Sequence, residues 1–295
     1  MIIGILPNTT KSEIADICRS LITKLNENGF DFLISSSIAK LDDKLNEEWG
    51  KDKFLDNSEL CKKSDLLISL GGDGTMLNSA YVAYESGTPL VGVNLGKLGF
   101  LAEFDIHHMD RLIEAIKNDE YEIEERMVLQ ANCISEPDDQ FVAFNDFVID
   151  KGRWPKMIEL TIKVDEEYVS TFSADGLIVA TPTGSTGYSL STGGPIVNPK
   201  SHVVTLSPIS PHTLTMRPLV LSSDQEITII ADSHHTSIQI NCDGQRVYNF
   251  KPPVNLQIKK SNIPLRLVHT KDKSYYEILR NKLFWGLDVR NTKNN

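Results

Sequence analysis

Asp65-Leu66-Leu67-Ile68-Ser69-Leu70-Gly71-Gly72-Asp73-Gly74-Thr75 joins a short apolar run to a glycine turn, and helical spacing follows over Met76–Tyr84. A short, predominantly apolar run without alternation, bounded by turn residues and followed by a helix, reads as a strand buried on both faces of a parallel sheet. Toward the N-terminus the same texture recurs. Ile2 to Leu6 is an apolar run closed by Pro7, and Thr10-x-x-Glu13 fits a capping box. Ile14, Ile17, Cys18, Leu21 and Leu25 fall at helical spacing, with Gly29 as the stop. Phe30–Ile34 reads as a second strand, 65–70 as a third and Pro89–Val93 as a fourth. Alternation of this kind predicts an open, Rossmann-like α/β domain over residues 1–104.

After about residue 120 the pattern changes. Glu122–Cys133, Phe141–Asp150, Met157–Val164, Tyr168–Ser173, Leu177–Ala180, Glu226–Ala231, Ser237–Asn241 and Val254–Ile258 are short runs, mostly alternating, separated by turn signals. They predict a β-sandwich over 105–271. Helical spacing returns in Ser274–Leu283, with Tyr275, Ile278, Leu279 and Leu283 beside Phe284. This final helix, within 272–295, is expected to return to the N-terminal domain, and the polar tail from Asp288 to fray.

The 295 residues carry 30 basic and 40 acidic side chains, a net charge of −10. A general nucleic-acid or anionic-membrane binder would want a basic footprint, so both classes are disfavoured. The acidic excess concentrates in 101–150, whereas 251–295 is basic. No apolar stretch is long enough to span a membrane, and the N-terminus lacks the basic region of a secretory signal. Cys18, Cys61, Cys133 and Cys242 are scattered without metal-ligand spacing. They are expected to be reduced, buried thiols of a cytoplasmic protein. The pairs His107-His108 and His234-His235 lack the spacing of helical metal ligands, and no metal-ligating residue is assigned.

Three segments point to chemistry. In Gly71–Thr75 the glycines let main-chain N–H groups approach a ligand, and the following helix adds its positive end, so Gly72, Gly74 and Thr75 suit a phosphate. Asp73 within such a turn makes sense if it orients or deprotonates an attacking hydroxyl, or helps hold Mg²⁺. Asn94-Leu95-Gly96-Lys97-Leu98-Gly99-Phe100-Leu101 follows the fourth strand and faces the same crevice, with Phe100 as a possible aromatic wall. The third, from Ser173 to Pro195, opens from Asp175-Gly176 through a strand into Thr181-Pro182-Thr183-Gly184-Ser185-Thr186-Gly187-Tyr188-Ser189-Leu190-Ser191. Its hydroxyls and exposed amides suit sugar and phosphate oxygens, and Tyr188 offers a stacking face.

Together GGDGT, NLGKLGFL, AFNDFVID, DGLIVATPTGSTGYSLSTGGP, HTLTMRPLV and DGQ resemble the NAD kinase family, as does the terminal YYEILRNKLFWG. GGDGT alone is shared with diacylglycerol and sphingosine kinases and resembles a phosphofructokinase motif; the 181–188 run separates this family from those. The resemblance implies Mg²⁺-dependent transfer of a phosphoryl group from ATP or polyphosphate to the 2′-hydroxyl of the adenosine ribose of NAD⁺. It implies Asp73 as the acid facing that hydroxyl, with Gly74 and Phe100 lining the dinucleotide site. Asn145 matches the asparagine of an Asn-Glu pair at the adenine and ribose; Asp146 stands where the family usually has the longer Glu. Asp175 matches an acid near the nicotinamide amide. Thr183, Thr186, Gly187, Tyr188 and Ser191 match the loop around the adenine and nicotinamide ends, and Gln245 a ligand-site glutamine. His212 and Arg217 match a supporting motif. A homodimer or homotetramer is implied, with sites drawing residues from two subunits. A lipid kinase sharing GGDGT would want a membrane-docking surface, and no basic amphipathic helix is found. A non-catalytic NAD(P) sensor would have no need of Asp73.

Overall fold

The computed structural model describes residues 1–42, 44–96, 99–102, 104–134, 136–270 and 274–284, without the side chains of 136–139. The chain forms two compact units, Met1–Glu125 with Arg266–Asn295, and Arg126–Leu265. The first runs β1 (Ile2–Pro7), α1 (Ile14–Glu27), β2 (Asp31–Ser35), α2 (Leu45–Trp49), β3 (Phe54–Leu55), α3 (Asn57–Lys63), β4 (Leu66–Leu70), α4 (Asp73–Ala83), β5 (Leu90–Asn94), β6 (Phe104–Asp105), α5 (Met109–Lys117) and β7 (Tyr121–Arg126). The second holds β8 (Leu129–Cys133), β9 (Glu136–Ala143), β10 (Asp146–Asp150), β11 (Ile158–Val164), β12 (Glu167–Ala174), β13 (Gly176–Ala180), α6 (Tyr188–Ser191), β14 (Val203–Ile209), β15 (Leu219–Ser222), β16 (Ile227–Asp232), β17 (Ile238–Cys242), β18 (Arg246–Phe250) and β19 (Val254–Lys260). The chain then returns to the first unit through β20 (Leu265–Thr270) and α7 (Tyr275–Leu283).

The first sheet is ordered β3-β2-β1-β4-β5-β20-β7, with β6 beside β5. Strands β1 to β6 and β20 pair in parallel. Strand order reverses between β1 and β4, so the crevice beyond their carboxyl ends is where such a sheet takes a ligand. All five residues of β4 are buried. The expected cover of helices is there: Ile14, Cys18, Leu21 and Leu25 of α1 and Leu112, Ile113 and Ile116 of α5 join the core around Ile3, Ile5, Ile68 and Val93.

The second unit is a sandwich of two six-stranded sheets, β15-β14-β13-β10-β17-β18 and β12-β11-β16-β19-β8-β9, with the described pairings antiparallel. Its core draws on both, including Phe147, Val179 and Ile240 from one and Leu160, Ile229 and Leu256 from the other.

Several expectations change. The units divide at 125/126 and 265/266, not at 104 and 271, because α5 packs with the first core and β20 lies parallel to β5. Helix α4 begins at Asp73 rather than Met76, so Asp-Gly-Thr forms its first turn. The capping box at Thr10 and Glu13 does not form; the Thr10 hydroxyl donates to Asn8 Oδ1 at 2.8 Å, and Glu13 makes no side-chain cap bond. The runs 122–133 and 141–150 each split into two strands of different sheets. In the second run the chain crosses at Phe144-Asn145, whose N–H groups are taken by the Asp243 carboxylate instead of a ladder. All four cysteines are free and buried. Lys97, Leu98, 271–273 and the tail from 285 lie outside the described residues.

Candidate active site

In the first unit the glycine turn lies at the carboxyl end of β4. Gly71 N–H donates to the Val93 carbonyl at 2.9 Å and Asn8 N–H to that of Leu70 at 2.9 Å, which ties together the ends of β1, β4 and β5. Gly71 is pressed against the Thr75 side chain, where a Cβ would collide. The Thr75 hydroxyl takes a hydrogen bond from Asn8 Nδ2 at 2.9 Å. Gly72 precedes the helix in extended backbone, and Gly74 is exposed on its first turn. This arrangement offers main-chain N–H groups and a positive helix end to an anion.

Asp73 does more than sit in that turn. Its Oδ2 accepts the Phe100 N–H at 2.8 Å, and its Oδ1 accepts those of Leu101 and Ala102 at 3.1 and 3.3 Å. The carboxylate therefore holds the loop after β5. Gly99 lies so close that an added Cβ would stand 2.5 Å from Asp73 Cγ. A carboxylate offers about four lone-pair directions, so among the described residues Oδ2, with the Phe100 N–H alone on it, keeps one for a hydroxyl donor. Phe100 is half-buried with the Lys282 ammonium of α7 6.0 Å from its ring centroid. Asn94 Oδ1 accepts the Gly96 N–H at 2.9 Å.

In the second unit the carboxyl end of β13 opens into a 3₁₀ turn over Thr183–Thr186 and then α6. Thr181 anchors it: its N–H donates to the Asn145 carbonyl at 2.8 Å, its hydroxyl donates to the Phe144 carbonyl at 2.7 Å, and Gly184 N–H donates to that hydroxyl at 3.1 Å. Ser185 joins the turn to the chain beyond it, donating to the Pro182 carbonyl at 2.6 Å and accepting the Val197 N–H at 3.0 Å. Asn145, Asp146 and Gly187 come together, since an added Cβ at Gly187 would lie 3.7 Å from Asp146 Oδ2 and 3.8 Å from Asn145 Nδ2. Thr183 is buried and accepts a hydrogen bond from the buried Arg126 at 3.4 Å, while Thr186 donates to the Thr183 carbonyl at 3.3 Å. Tyr188 and Ser191 are exposed on α6, leaving the Tyr188 ring accessible.

Gln245 is the last residue of the three-residue hairpin loop 243–245 between the paired Cys242 and Arg246. Asp243 and Gly244 have φ of +58° and +67°, and Gln245 N–H donates to the Cys242 carbonyl at 3.0 Å. Left-handed backbone at successive positions is what Asp and Gly tolerate best in a tight turn. Asp243 points inward: Oδ1 accepts the N–H groups of Phe144, Asn145 and Asp146 at 2.8, 2.7 and 3.3 Å, and Oδ2 accepts Arg246 Nη2 at 2.7 Å. Burial, reinforced by the neighbouring charge of Asp243, pushes the Asp146 carboxyl up to about 7. Burial also raises Asp243, against the opposing pull of the Asn145 N–H and Arg246. Sequence reading missed Asp243, Arg246 and Arg126; the Asp-Gly pair announced the turn, but nothing announced that its carboxylate faces inward.

Asp175 lies apart. It precedes β13, at the end opposite Thr181, and a strand of that length separates the two by roughly 20 Å. Its Oδ1 accepts Lys151 Nζ at 2.6 Å. His212 is at the same end, its N–H donating to the Ser173 carbonyl at 2.9 Å, and Arg217 donates to the Leu214 and Met216 carbonyls. Among the described residues no cluster of three or more His, Cys, Asp and Glu forms a metal cage.

The chain matches the ATP-NAD kinase N-terminal domain over residues 3–121 and the ATP-NAD kinase C-terminal domain over 144–270. It is 40% identical over 291 residues to the NAD kinase of Chlorobium phaeovibrioides, covering 98% of this chain and 100% of that protein. The NAD kinase of Caldanaerobacter subterraneus is 40% identical over 283 residues, covering 95% and 98%. Among solved structures, an NAD kinase from Archaeoglobus fulgidus in complex with ATP superposes with a TM-score of 0.75 at 26% identity, covering 96% of this chain and 99% of that one. A yeast NADH kinase complexed with NADH shares the fold, with a TM-score of 0.88 at 24% identity over 99% and 90% of the two chains. With both family domains matched and 40% identity along nearly the whole length, the chain belongs to the NAD kinase family.

Proposed function

We propose that this chain transfers the terminal phosphoryl group of ATP to the 2′-hydroxyl of the adenosine ribose of NAD⁺. The hydroxyl oxygen bonds to the γ-phosphorus, the bond from that phosphorus to ADP breaks, and the hydroxyl proton is released. The observation that carries this reading is the Asp73 carboxylate at the head of α4, tied by three N–H groups to the loop that bears Phe100. Family membership supports the reaction class.

Phosphoryl transfer commonly passes through a loose transition state, so alignment and charge compensation outweigh early deprotonation of the nucleophile. The remaining lone pair of Asp73 Oδ2 accepts from the 2′-hydroxyl and aims it, while the amides of Gly72 and Gly74 and the Thr75 hydroxyl face phosphate oxygens. General-base help adds about 10²–10⁴-fold. Magnesium belongs to the donor, entering as Mg-ATP on its phosphates, the usual mode for this ion. Polyphosphate is the second candidate donor. Asn145 and Asp146 take the adenosine, and Thr183, Thr186, Gly187, Tyr188, Ser191 and Gln245 line the dinucleotide. Asp175, far from this cluster along β13, serves the nicotinamide end of a site in a second copy, so the active form is a homodimer or homotetramer. Four reduced, buried thiols suit a cytoplasmic enzyme.

The test is direct: incubate the purified chain with Mg-ATP and NAD⁺, in parallel with a diacylglycerol, and quantify NADP⁺ and phospholipid by chromatography. NADP⁺ is the expected product. Tight NAD⁺ binding with no NADP⁺ would make the chain a sensor, and lipid phosphorylation would make it a lipid kinase.

A further inference from the structure

We infer that Asp243 is a positioning residue for the dinucleotide, fixing the aim of Asn145 and Asp146 through the main chain between β9 and β10. This rests on the NAD⁺ reading of the site and deepens it. The carboxylate is buried and gathers three consecutive N–H groups of the crossover, 144–146, on one oxygen. Its other oxygen holds Arg246 Nη2, which also donates to the Val142 carbonyl at 3.1 Å. Asp243 N–H closes the bracket on the Asp146 carbonyl at 3.0 Å. The crossover is thus gripped on both sides of Asn145 by one hairpin tip.

Such a device costs the protein something. It places a second carboxylate beside Asp146 in a desolvated position, where charge on either opposes charge on the other. Two apolar contacts could have closed the same gap without that conflict. Holding three successive amides in one orientation is what a carboxylate does and an apolar contact does not. The N–H groups so held are those of the two residues that face the ligand and the one before them.

The experiment compares wild type with Asp243→Asn and Arg246→Gln. Dissociation constants for NAD⁺ come from calorimetry, and KM for NAD⁺ and Mg-ATP and kcat from NADP⁺ formation between pH 5 and 9. Asparagine can present its oxygen to the amides only by turning its own N–H toward Arg246, a donor against a donor. The Kd and KM for NAD⁺ are expected to rise about tenfold or more in Asp243→Asn, with kcat and KM for Mg-ATP within about twofold. Arg246→Gln, which leaves the turn intact, should show a smaller rise of the same kind and keeps the test alive if Asp243→Asn does not fold. The pH profile separates positioning from mere scaffolding. Asp243 opposes charge on Asp146, Cys242 feels both carboxylates, and Arg246 acts on Asp243 and Cys242. Removing the Asp243 charge lets Asp146 ionise more readily, so the acid limb of kcat/KM for NAD⁺ moves to lower pH. A folded Asp243→Asn with unchanged NAD⁺ affinity and an unmoved acid limb overturns the inference, as does an equal loss of kcat and of affinity for both substrates. If wild type yields no NADP⁺, the kinase reading fails, and the NAD⁺ dissociation constants still decide the role of Asp243. If wild type does not bind NAD⁺, both fall.

Discussion

Replacing Gly184 with alanine probes the nucleotide loop most sharply. A Cβ built on Gly184 runs into the main chain of Asn145, standing 2.5 Å from its carbonyl carbon and 2.8 Å from its Cα, and closer still to the carbonyl oxygen. These are backbone atoms, so no rotamer change relieves the overlap. Asn145 cannot retreat freely either, because its N–H is held by Asp243 and its carbonyl by Thr181. The strain of overpacking costs about 1–3 kcal/mol. The hydrogen bonds from Thr181 N–H to Asn145 and from Gly184 N–H to the Thr181 hydroxyl, at 2.8 and 3.1 Å, are the first to stretch, at about 1 kcal/mol each. Partial relaxation trims the sum, and a loss of about 2–4 kcal/mol is expected in Gly184→Ala. For a chain of this size that lowers Tm by roughly 3–6 °C. Displacing Asn145 by about 1 Å should also lower kcat/KM for NAD⁺ by about 10²-fold. Thermal unfolding and steady-state NADP⁺ formation measure both. A variant that melts within about 1 °C of wild type and keeps kcat/KM for NAD⁺ within twofold would refute the packing argument.

Gly99→Ala should break the other loop, since its Cβ meets the Asp73 carboxylate; NADP⁺ formation is expected to fall about 10²-fold, and wild-type turnover would show that the Asp73 clamp is dispensable. Asp73→Asn sets an amide donor or loses an acceptor against the N–H groups of 100–102, so turnover should collapse while calorimetric NAD⁺ affinity stays within a few-fold. For Asp146 the sign follows from its raised carboxyl. Between the ordinary value of 3.8 and about 7 the folded state keeps a proton that the unfolded chain has lost. That contribution to stability is full below about pH 4 and is lost as pH rises through 7. Denaturant titrations at pH 5 and 8 should show a shallower fall in Asp146→Asn than in wild type, and equal slopes would contradict the assignment. Lys151→Met removes the partner of Asp175; both side chains are partly exposed, so stability should change by less than about 1 kcal/mol, while KM for NAD⁺ rises if Asp175 serves the site.

What could be read from the chain follows from the range of the forces involved. The parallel sheet was legible because β4 is apolar at four of its five positions and runs straight into glycine, both local properties. The helical return at the C-terminus was legible for the same reason, with Ser274 accepting the Tyr276 N–H as its cap. The split of 141–150 was not, because the chain turns from one sheet to the other without a breaker residue. What turns it is Asp243, almost a hundred positions away. The failed capping box at Thr10 is similar: Asn8, fixed by its bond to the Leu70 carbonyl, captures the hydroxyl that the helix would have used. Strand β20 and helix α5 escaped because their membership of the first unit is a tertiary fact, invisible in periodicity. Among the candidate site residues, glycine spacing marked two loops as candidates, whereas the separation of Asp175 from Asn145 emerges only from the antiparallel register of β10 on β13.

The two units answer the same problem independently. In each, an aspartate beside glycine receives three consecutive main-chain N–H groups: Asp73 those of 100–102, Asp243 those of 144–146. Each gathered segment carries residues assigned to the ligand, Phe100 in one and Asn145 with Asp146 in the other. Loops that must approach a nucleotide closely are poor in side chains able to pack them, so something else has to hold them still. A carboxylate supplies several acceptors at one point and lets a loop be fixed by its backbone alone. The acidity of the motifs then bears differently on an anionic substrate. The charge of Asp73 is directed into amide dipoles of the enzyme, so in the proposed site a protein of net charge −10 meets phosphates with neutral donors. Neutral donors leave part of the donor's charge uncompensated, which predicts that phosphate affinity in this enzyme follows the magnesium concentration more steeply than the sodium chloride concentration. A KM for ATP that falls with added magnesium at constant ionic strength and changes less than twofold between about 50 and 200 mM NaCl is the expected result; a strong salt dependence would place basic side chains, not amides, at the phosphates.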